Sequence, residues 1–233
     1  MGKSEIVIIK IDPNFYNINI FSSEQYNHDN LTVEDWNKKY DLIISVNAGM
    51  FKKEDYSSNV GYMKQLNYIN NPNINHYQSI AVFNPKDSTQ DQFKILDFEL
   101  MNGKLNRNDI KTVIANYGSV VQNLRLIKRS AENRWTQQPK EWSEVALGED
   151  RDGNILLIFS RSPYSMYDLN NILIDLPINI ECAQHLEGGP EASLYLKYKD
   201  VELKYIGSYE TSFWDNSNND FWPIPNIIGI TKK

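Results

Sequence analysis

The residues best suited to chemistry in this chain lie in one run, His185-Leu186-Glu187-Gly188-Gly189-Pro190-Glu191-Ala192-Ser193-Leu194-Tyr195-Leu196. Two carboxylates, Glu187 and Glu191, stand on either side of a Gly-Gly-Pro turn. Paired carboxylates are equipment for general acid–base work, and glycines without Cβ atoms let backbone approach a ligand closely. Turns are polar in any case, so an acidic hairpin loop is the alternative reading. A third carboxylate, Glu144, sits in the apolar run 142–148. If Glu144, Glu187 and Glu191 converge, their oxygens suit calcium better than zinc; a solvated acidic rim is the other possibility, and no other cofactor is indicated. The three histidines, His28, His76 and His185, include no His-x-x-x-His pair, and the chain has no Gly-x-Ser-x-Gly elbow, phosphate-binding loop or Gly-x-Gly-x-x-Gly fingerprint. His185, in an apolar strand, reads as a hydrogen-bonded structural imidazole. Cys182, the one cysteine, excludes an intramolecular disulfide and reads as buried and inert.

Four polar segments fall at the ends of expected strands: Asn47-Ala48-Gly49, Gln122-Asn123-Leu124-Arg125, Ser160-Arg161-Ser162 and Glu187-Gly188-Gly189. Rigid sheets position groups that project from their rims. The guanidinium of Arg161 suits bidentate contact with phosphate or carboxylate, or a salt bridge to a nearby acid. The elements that hold these segments are legible in outline. Residues 5–11 and 16–21 read as strands around Asp12-Pro13-Asn14. Thr32-Val33-Glu34-Asp35 has capping-box spacing and opens a helix through Tyr40. Residues 42–46, 79–83, 93–100 and 112–115 are strand candidates, and 56–77 reads as a long loop. Residues 142–148 and 154–160 form a hairpin around Asp150-Arg151-Asp152-Gly153. Met166, Leu169, Ile172, Leu173 and Leu176 recur at helical spacing behind a Ser165 cap, and Pro177 stops that helix. A strand over 178–186 then leads to the Gly-Gly turn. The expected fold is α+β, with antiparallel or mixed sheets and a few packed helices, as one domain over residues 1–233.

The chain has 233 residues, 41% of them hydrophobic, enough for a sizeable core, and a formal net charge of −6. That charge, with scattered basic residues, argues against a nucleic-acid surface. No run approaches the ~20 apolar residues of a membrane span. The start, Met1-Gly2-Lys3-Ser4-Glu5-Ile6, lacks the apolar core of a signal peptide, so the expectation is a cytoplasmic protein or one whose signal has been removed. The aromatic run Tyr209 to Trp214, with Phe221 and Trp222, is expected to pack against a sheet, with sugar stacking as the alternative. Oligomeric state is not legible.

Four segments occur in one order: "SVNAGMF" at 45–51, "VVQNLRLI" at 120–127, "ALGEDRDGNILLI" at 146–158 and "AQHLEGGPEASLYL" at 183–196. Together they resemble the phosphodiester glycosidase family, in a form similar to a bacterial subgroup. The resemblance implies a fold of that kind and hydrolysis of a bond between a sugar anomeric carbon and a phosphodiester, often on extracytoplasmic glycans, with a carbohydrate or sugar phosphate as substrate. Carried over by position, it makes Asn47, Gly49, Arg125, Gly188, Gly189 and Ser193 substrate-binding candidates; Gln122, in the polar strand-end segment, is a further candidate. Glu187 takes the place of the family's loop Asp and is expected as base or nucleophile, with Glu191 or Glu144 as its carboxylate partner. Glu144 stands where the family often carries Arg, so Arg161 and Arg125 are expected to hold the leaving group, and Asn47 to orient sugar hydroxyls. Loss of the cation favours a neutral glycoside as the amended substrate. A catalytically silent carbohydrate-binding domain on the same scaffold is the reading from another class.

Overall fold

The structure is a computed structural model that describes residues 5–100, 106–212 and 216–233. Its elements run β1 (Ile6–Ile11), β2 (Tyr16–Ser22), α1 (Val33–Tyr40), β3 (Ile44–Asn47), β4 (Met63–Gln65), β5 (Tyr68–Asn71), β6 (Ser79–Pro85), β7 (Phe93–Asp97), α2 (Arg107–Asn116), β8 (Tyr117–Asn123), β9 (Arg125–Ile127), β10 (Trp142–Asp150), β11 (Ile155–Tyr164), α3 (Met166–Asp175), β12 (Ile180–Gly188), β13 (Ser193–Tyr198), β14 (Val201–Ile206) and β15 (Asn226–Lys232). They form three five-stranded sheets, ordered β1-β11-β10-β12-β9, β14-β13-β3-β15-β2 and β5-β4-β8-β6-β7. The strand pairings among the described residues are antiparallel. The fold is α+β, as expected.

One core lies between the three sheets. It joins Val145, Leu147, Leu157 and Leu186 of the first sheet to Val46, Leu194 and Ile228 of the second and Phe83, Ile95 and Val121 of the third. Each sheet then carries one helix on its other face. Leu169 and Leu173 of α3 pack on Ala146 and Ile158, Ile110 of α2 packs on Val82 and Val120, and Trp36 of α1 packs on Tyr195 and Ile227. Strands covered on both faces read as apolar runs, which is why β8 is buried along its whole length.

The helices start where the sequence signals them. Thr32 Oγ1 accepts the Asp35 N–H at 3.1 Å, Ser165 Oγ accepts the Asp168 N–H at 3.1 Å, and Asp41 ends α1 in the left-handed region at φ 51°. Two expectations are corrected. Residues 112–115 lie in α2 and not in a strand. Their β-branched side chains suggested β structure, but Ile110, Val113 and Ile114 recur at helical spacing and pack together on the third sheet. Asn106 caps that helix, and the Lys64 ammonium, from β4, donates to the Ile114 carbonyl at 2.6 Å near its C-terminal end. The loop expected over 56–77 contains β4 and β5, short strands whose tyrosines and asparagines do not alternate visibly with apolar residues. In the aromatic run, Phe221 packs edge-on against Tyr195, Trp222 is exposed, and Phe213 and Trp214 lie outside the described residues, as do Met1 to Ser4.

Trp36 is fully buried and donates its indole N–H to the Ile224 carbonyl at 3.1 Å. Trp36→Ala is expected to cost about 3–5 kcal/mol of stability, measured by chemical denaturation; a loss below about 1 kcal/mol would show that the second sheet does not depend on α1.

Candidate active site

The site is built at the end of the β10–β12 pair. Ala146 pairs with His185, but Val145 pairs with Glu187 and Glu144 with Gly188, so the ladder skips Leu186. Skipping one residue is a β-bulge, which re-aims side chains beyond it. In an unbroken ladder Glu144 would face Glu187, two like charges directly opposed, which is destabilising. With the bulge, Gly188 faces Glu144 instead, and Leu186 enters the inter-sheet core.

Glu144 is 1% exposed and has a partner for each oxygen. Oε1 lies 2.7 Å from His185 Nδ1, and Oε2 accepts the Trp142 indole N–H at 2.7 Å. Burial opposes charge on the imidazole, but Glu144, through charge and hydrogen bond, and Glu187, through charge, together raise its pKa above the ordinary value. With Nδ1 taken by Glu144, Nε2 is the ring nitrogen left for another partner, and His185 lines the cleft. Trp142 lies edge-on to the imidazole, with ring centroids 6.3 Å apart, and rests on Gly188, where a Cβ would come within 2.6 Å of the indole. A side chain at 188 would therefore displace the indole that holds Glu144.

Beyond Gly188 the chain makes a single 3-10 turn, Gly189–Glu191. Gly189 adopts φ +65°, a conformation that favours glycine. Asn47, at the end of β3, ties this turn to the second sheet: its Nδ2 donates to the Glu191 carbonyl at 3.0 Å, and its Oδ1 accepts the Ser193 N–H at 2.8 Å. Ser193 Oγ closes the turn on the same Glu191 carbonyl at 2.9 Å.

The turn forms one side of a cleft of about 620 Å³ lined by His185, Glu187, Gly188, Glu191, Glu210, Trp142 and the segment Met50 to Tyr56. Burial, with added repulsion from Glu191 and Glu144, pushes the Glu187 carboxyl up to about 8, despite the opposing pull of His185. The group therefore carries its proton at neutral pH. Burial also raises Glu191; Glu210 adds to the rise and Lys53 opposes it. Tyr77, whose phenol is raised by burial and by the Glu187 charge, stands near the same carboxyl.

Of the residues singled out from sequence, Glu187, Glu191 and Gly188 line the cleft. Glu144 stands behind His185, out of reach of solvent, and so does not converge with Glu187 and Glu191 into one oxygen cage. Among the described residues no three His, Cys, Asp or Glu side chains are placed to hold a metal ion. Asn47, Gly49, Gln122 and Ser193 are framework. Asn47 has both amide atoms bonded to the turn. A Cβ at Gly49 would overlap the Asn123 and Asn59 side chains. Gln122 donates to the Asn75 and Tyr77 carbonyls and accepts the Tyr62 and Asn75 N–H groups.

Neither arginine lines the cleft. Arg161 donates to the Ile206 and Asn218 carbonyls, each at 2.7 Å, and pins the chain after β14. Arg125 starts β9, the edge strand beside β12, where it pairs with Gln184, and its guanidinium lies 3.5 Å from Glu99. Both were singled out by charge and strand-end position, which do not say which way a rim faces. His185, read as structural, joins the cleft, and Trp142, Lys52, Lys53, Tyr56 and Glu210 are additions. The one signal for the lysines is that they directly follow the "SVNAGMF" segment.

The family profile of the phosphodiester glycosidases matches residues 40–231. Among solved structures, the chain is similar to the catalytic domain of zebrafish N-acetylglucosamine-1-phosphodiester alpha-N-acetylglucosaminidase, auto-inhibited by its pro-peptide, with a TM-score of 0.67 and 16% identity over 99% of this chain and 83% of that one. It is also similar to a hypothetical protein from Synechocystis, with a TM-score of 0.68 and 11% identity over 99% of this chain and 59% of that one. A comparison with curated proteins finds no sequence match. At such identities the two structures speak for the fold, whereas the profile spans most of the chain. With the ordered segments and the three-sheet fold in agreement, this chain belongs to the phosphodiester glycosidase family.

Proposed function

We propose that the protein is a hydrolase that cleaves the bond between a sugar anomeric carbon and a phosphodiester oxygen, with Glu187 as general acid. The observation that carries this reading is the placement of Glu187 and His185 on one wall of the cleft, with Glu144 bonded to the imidazole. Strand β12 presents two proton-bearing groups side by side, the Glu187 carboxyl and the His185 imidazole whose pKa Glu144 holds up. Two donors on one wall suit a reaction in which negative charge develops on a departing oxygen. A carboxyl with a pKa of about 8 is a poor nucleophile at neutral pH, so the base or nucleophile role expected from sequence does not suit Glu187. Environments that separate the pKa values of neighbouring groups are the usual means of assigning acid and base.

In the proposed step, the bond from the anomeric carbon to the phosphate oxygen breaks and its electron pair leaves on that oxygen. Glu187 gives its proton to the leaving oxygen, and His185 Nε2–H donates a hydrogen bond to the same group. A water oxygen bonds to the anomeric carbon and passes a proton to Glu191, whose raised pKa makes its ionised form a stronger base than a surface carboxylate. Exchange of one proton with solvent restores both carboxyls. Glu144 is a positioning residue: it fixes the His185 tautomer and orientation as the third member of a triad does. Trp142 and the aromatic side chains of Phe51 and Tyr56 offer apolar faces to a sugar ring.

Glu187→Gln is expected to lower kcat/KM for a sugar-1-phosphodiester by roughly 10²–10⁴-fold with the fold intact by circular dichroism; full activity would remove Glu187 from the mechanism. Because the acid must hold its proton and the base must have lost its own, wild-type kcat/KM should fall on the acid side as Glu191 becomes protonated and fall about tenfold per unit above about pH 8, and the alkaline limb should vanish in Glu187→Gln. A profile that rises through pH 8 would contradict the acid role. Glu144→Gln should lower kcat roughly 10²-fold or more with little change in KM and move the His185 titration, followed by NMR, toward lower pH. A loss of activity with the His185 titration unmoved would mean that Glu144 acts otherwise than through the imidazole. Product from neither sugar phosphodiesters nor glycosides, with sugar binding retained, would favour the silent carbohydrate-binding domain.

A further inference from the structure

The proposed leaving group carries a negative charge, yet the cleft's walls supply Glu54, Glu187, Glu191 and Glu210, and both arginines expected to balance them lie elsewhere. Among the lining residues the cationic side chains are Lys52 and Lys53. They sit on a hairpin that follows β3 and is fixed by its own backbone. Phe51 bridges Asn59, Lys52 N–H donates to the Ser58 carbonyl at 2.8 Å, and Tyr56 N–H donates to the Lys52 carbonyl at 2.9 Å. Asp55 accepts the N–H groups of Ser57 and Ser58 at 3.0 and 2.9 Å. The hairpin is also tied down from outside. Asn30 donates to the Tyr56 carbonyl at 2.8 Å, Asn226 donates to the Ser57 carbonyl at 2.7 Å, and Ser57 Oγ donates to Glu24 at 2.7 Å.

Many of the protein's lysines are neutralised by contact: Lys10, Lys38, Lys94, Lys128, Lys197 and Lys204 each lie in an ion pair. Among the described residues no ion pair holds Lys52 or Lys53, although the Lys53 charge is felt by Glu191 and the Lys52 charge by Asp55. The carboxylate nearest the reacting centre is meanwhile protonated, which removes repulsion that would otherwise exclude an anion. A fixed hairpin thus brings two unpaired ammonium groups to the mouth of a cleft whose central acid is neutral.

Resting on the hydrolase reading above, we propose that Lys52 and Lys53 form the anion subsite of this cleft: they hold the phosphate of the leaving group and set the preference for a phosphodiester over a neutral glycoside. An ammonium on a flexible stem acts as a point charge and does not demand the planar fit of a guanidinium. The subsite should therefore tolerate variation in what the phosphate carries on its far side, and its contribution should weaken with salt, because surface charges are screened.

The test compares wild type, the double variant Lys52→Met/Lys53→Met, and Lys111→Met as a control for lost surface charge on α2. One readout is the ratio of kcat/KM on a sugar-1-phosphodiester to that on the neutral aryl glycoside of the same sugar. The other is inorganic phosphate binding followed by NMR, which needs no turnover. The double variant should lower the ratio roughly tenfold or more, through KM, and weaken phosphate binding to a similar extent, with the thermal midpoint unchanged; Lys111→Met should alter neither. Equal losses on both substrates, or phosphate binding that survives the double variant, would overturn the subsite. A wild type that hydrolyses neither compound would overturn the hydrolase reading instead, and phosphate binding would still decide the role of the lysines.

Discussion

The cleft depends on one offset in strand pairing, the skipped Leu186 in the ladder between β10 and β12. It separates two acids that a regular register would oppose, and it sends Leu186 into the core shared by all three sheets. It also brings glycine to the position facing Glu144, so that Trp142 can lie across Gly188 and close the Trp142–Glu144–His185 chain. A buried carboxylate is costly unless both oxygens are bonded, and here the indole and the imidazole do that from opposite sides. The Glu144–His185 pair is thus a structural consequence of the bulge before it is a chemical device.

Around this pair stands a scaffold of buried amides. Asn47 holds the Glu-Gly-Gly-Pro-Glu turn to β3. Asn59, Asn70, Asn71 and Asn226 fasten the segment after β3, and Asn123 and Gln122 fasten β8 to the loops beside it. Irregular backbone near a cleft has polar groups that no ladder satisfies, and side-chain amides offer both donor and acceptor. Asn47, whose matched position suggested ligand contact, is bonded through both amide atoms to the turn that carries Glu191.

The fold was legible wherever local signals agreed. The 142–148 and 154–160 hairpin carried Asp-Gly turn chemistry, and Asp150 accepts the N–H groups of Asp152 and Asn154 there. The helices behind Thr32 and Ser165 carried both caps and period. Legibility failed where propensity and period conflicted, as at Thr112-Val113-Ile114-Ala115, and where strands were too short to show alternation, as at β4 and β5. At the site, Glu187 and Glu191 stood out because two acids beside a Gly-Gly turn are conspicuous. His185 is hydrogen-bonded, as expected, to Glu144; that it also lines the cleft is not legible, because one imidazole in an apolar strand looks the same whether its other nitrogen meets protein or solvent. That Arg125 and Arg161 lie outside the cleft lining was not legible, because a strand end in sequence does not reveal which rim of which sheet it joins.

The sequence by itself determined the family and the α+β class, because those follow from residue types in short, ordered segments. Tertiary structure alone decided what each candidate group is held against. The pairing of Glu144 with His185 spans forty-one residues, the elevation of Glu187 comes from burial and from the charges of Glu191 and Glu144, against the pull of His185, and the Lys53 charge reaches Glu191 from a different loop. Protonation and charge balance depend on distance and dielectric, and neither exists along a chain until sheets from distant segments close around a common core.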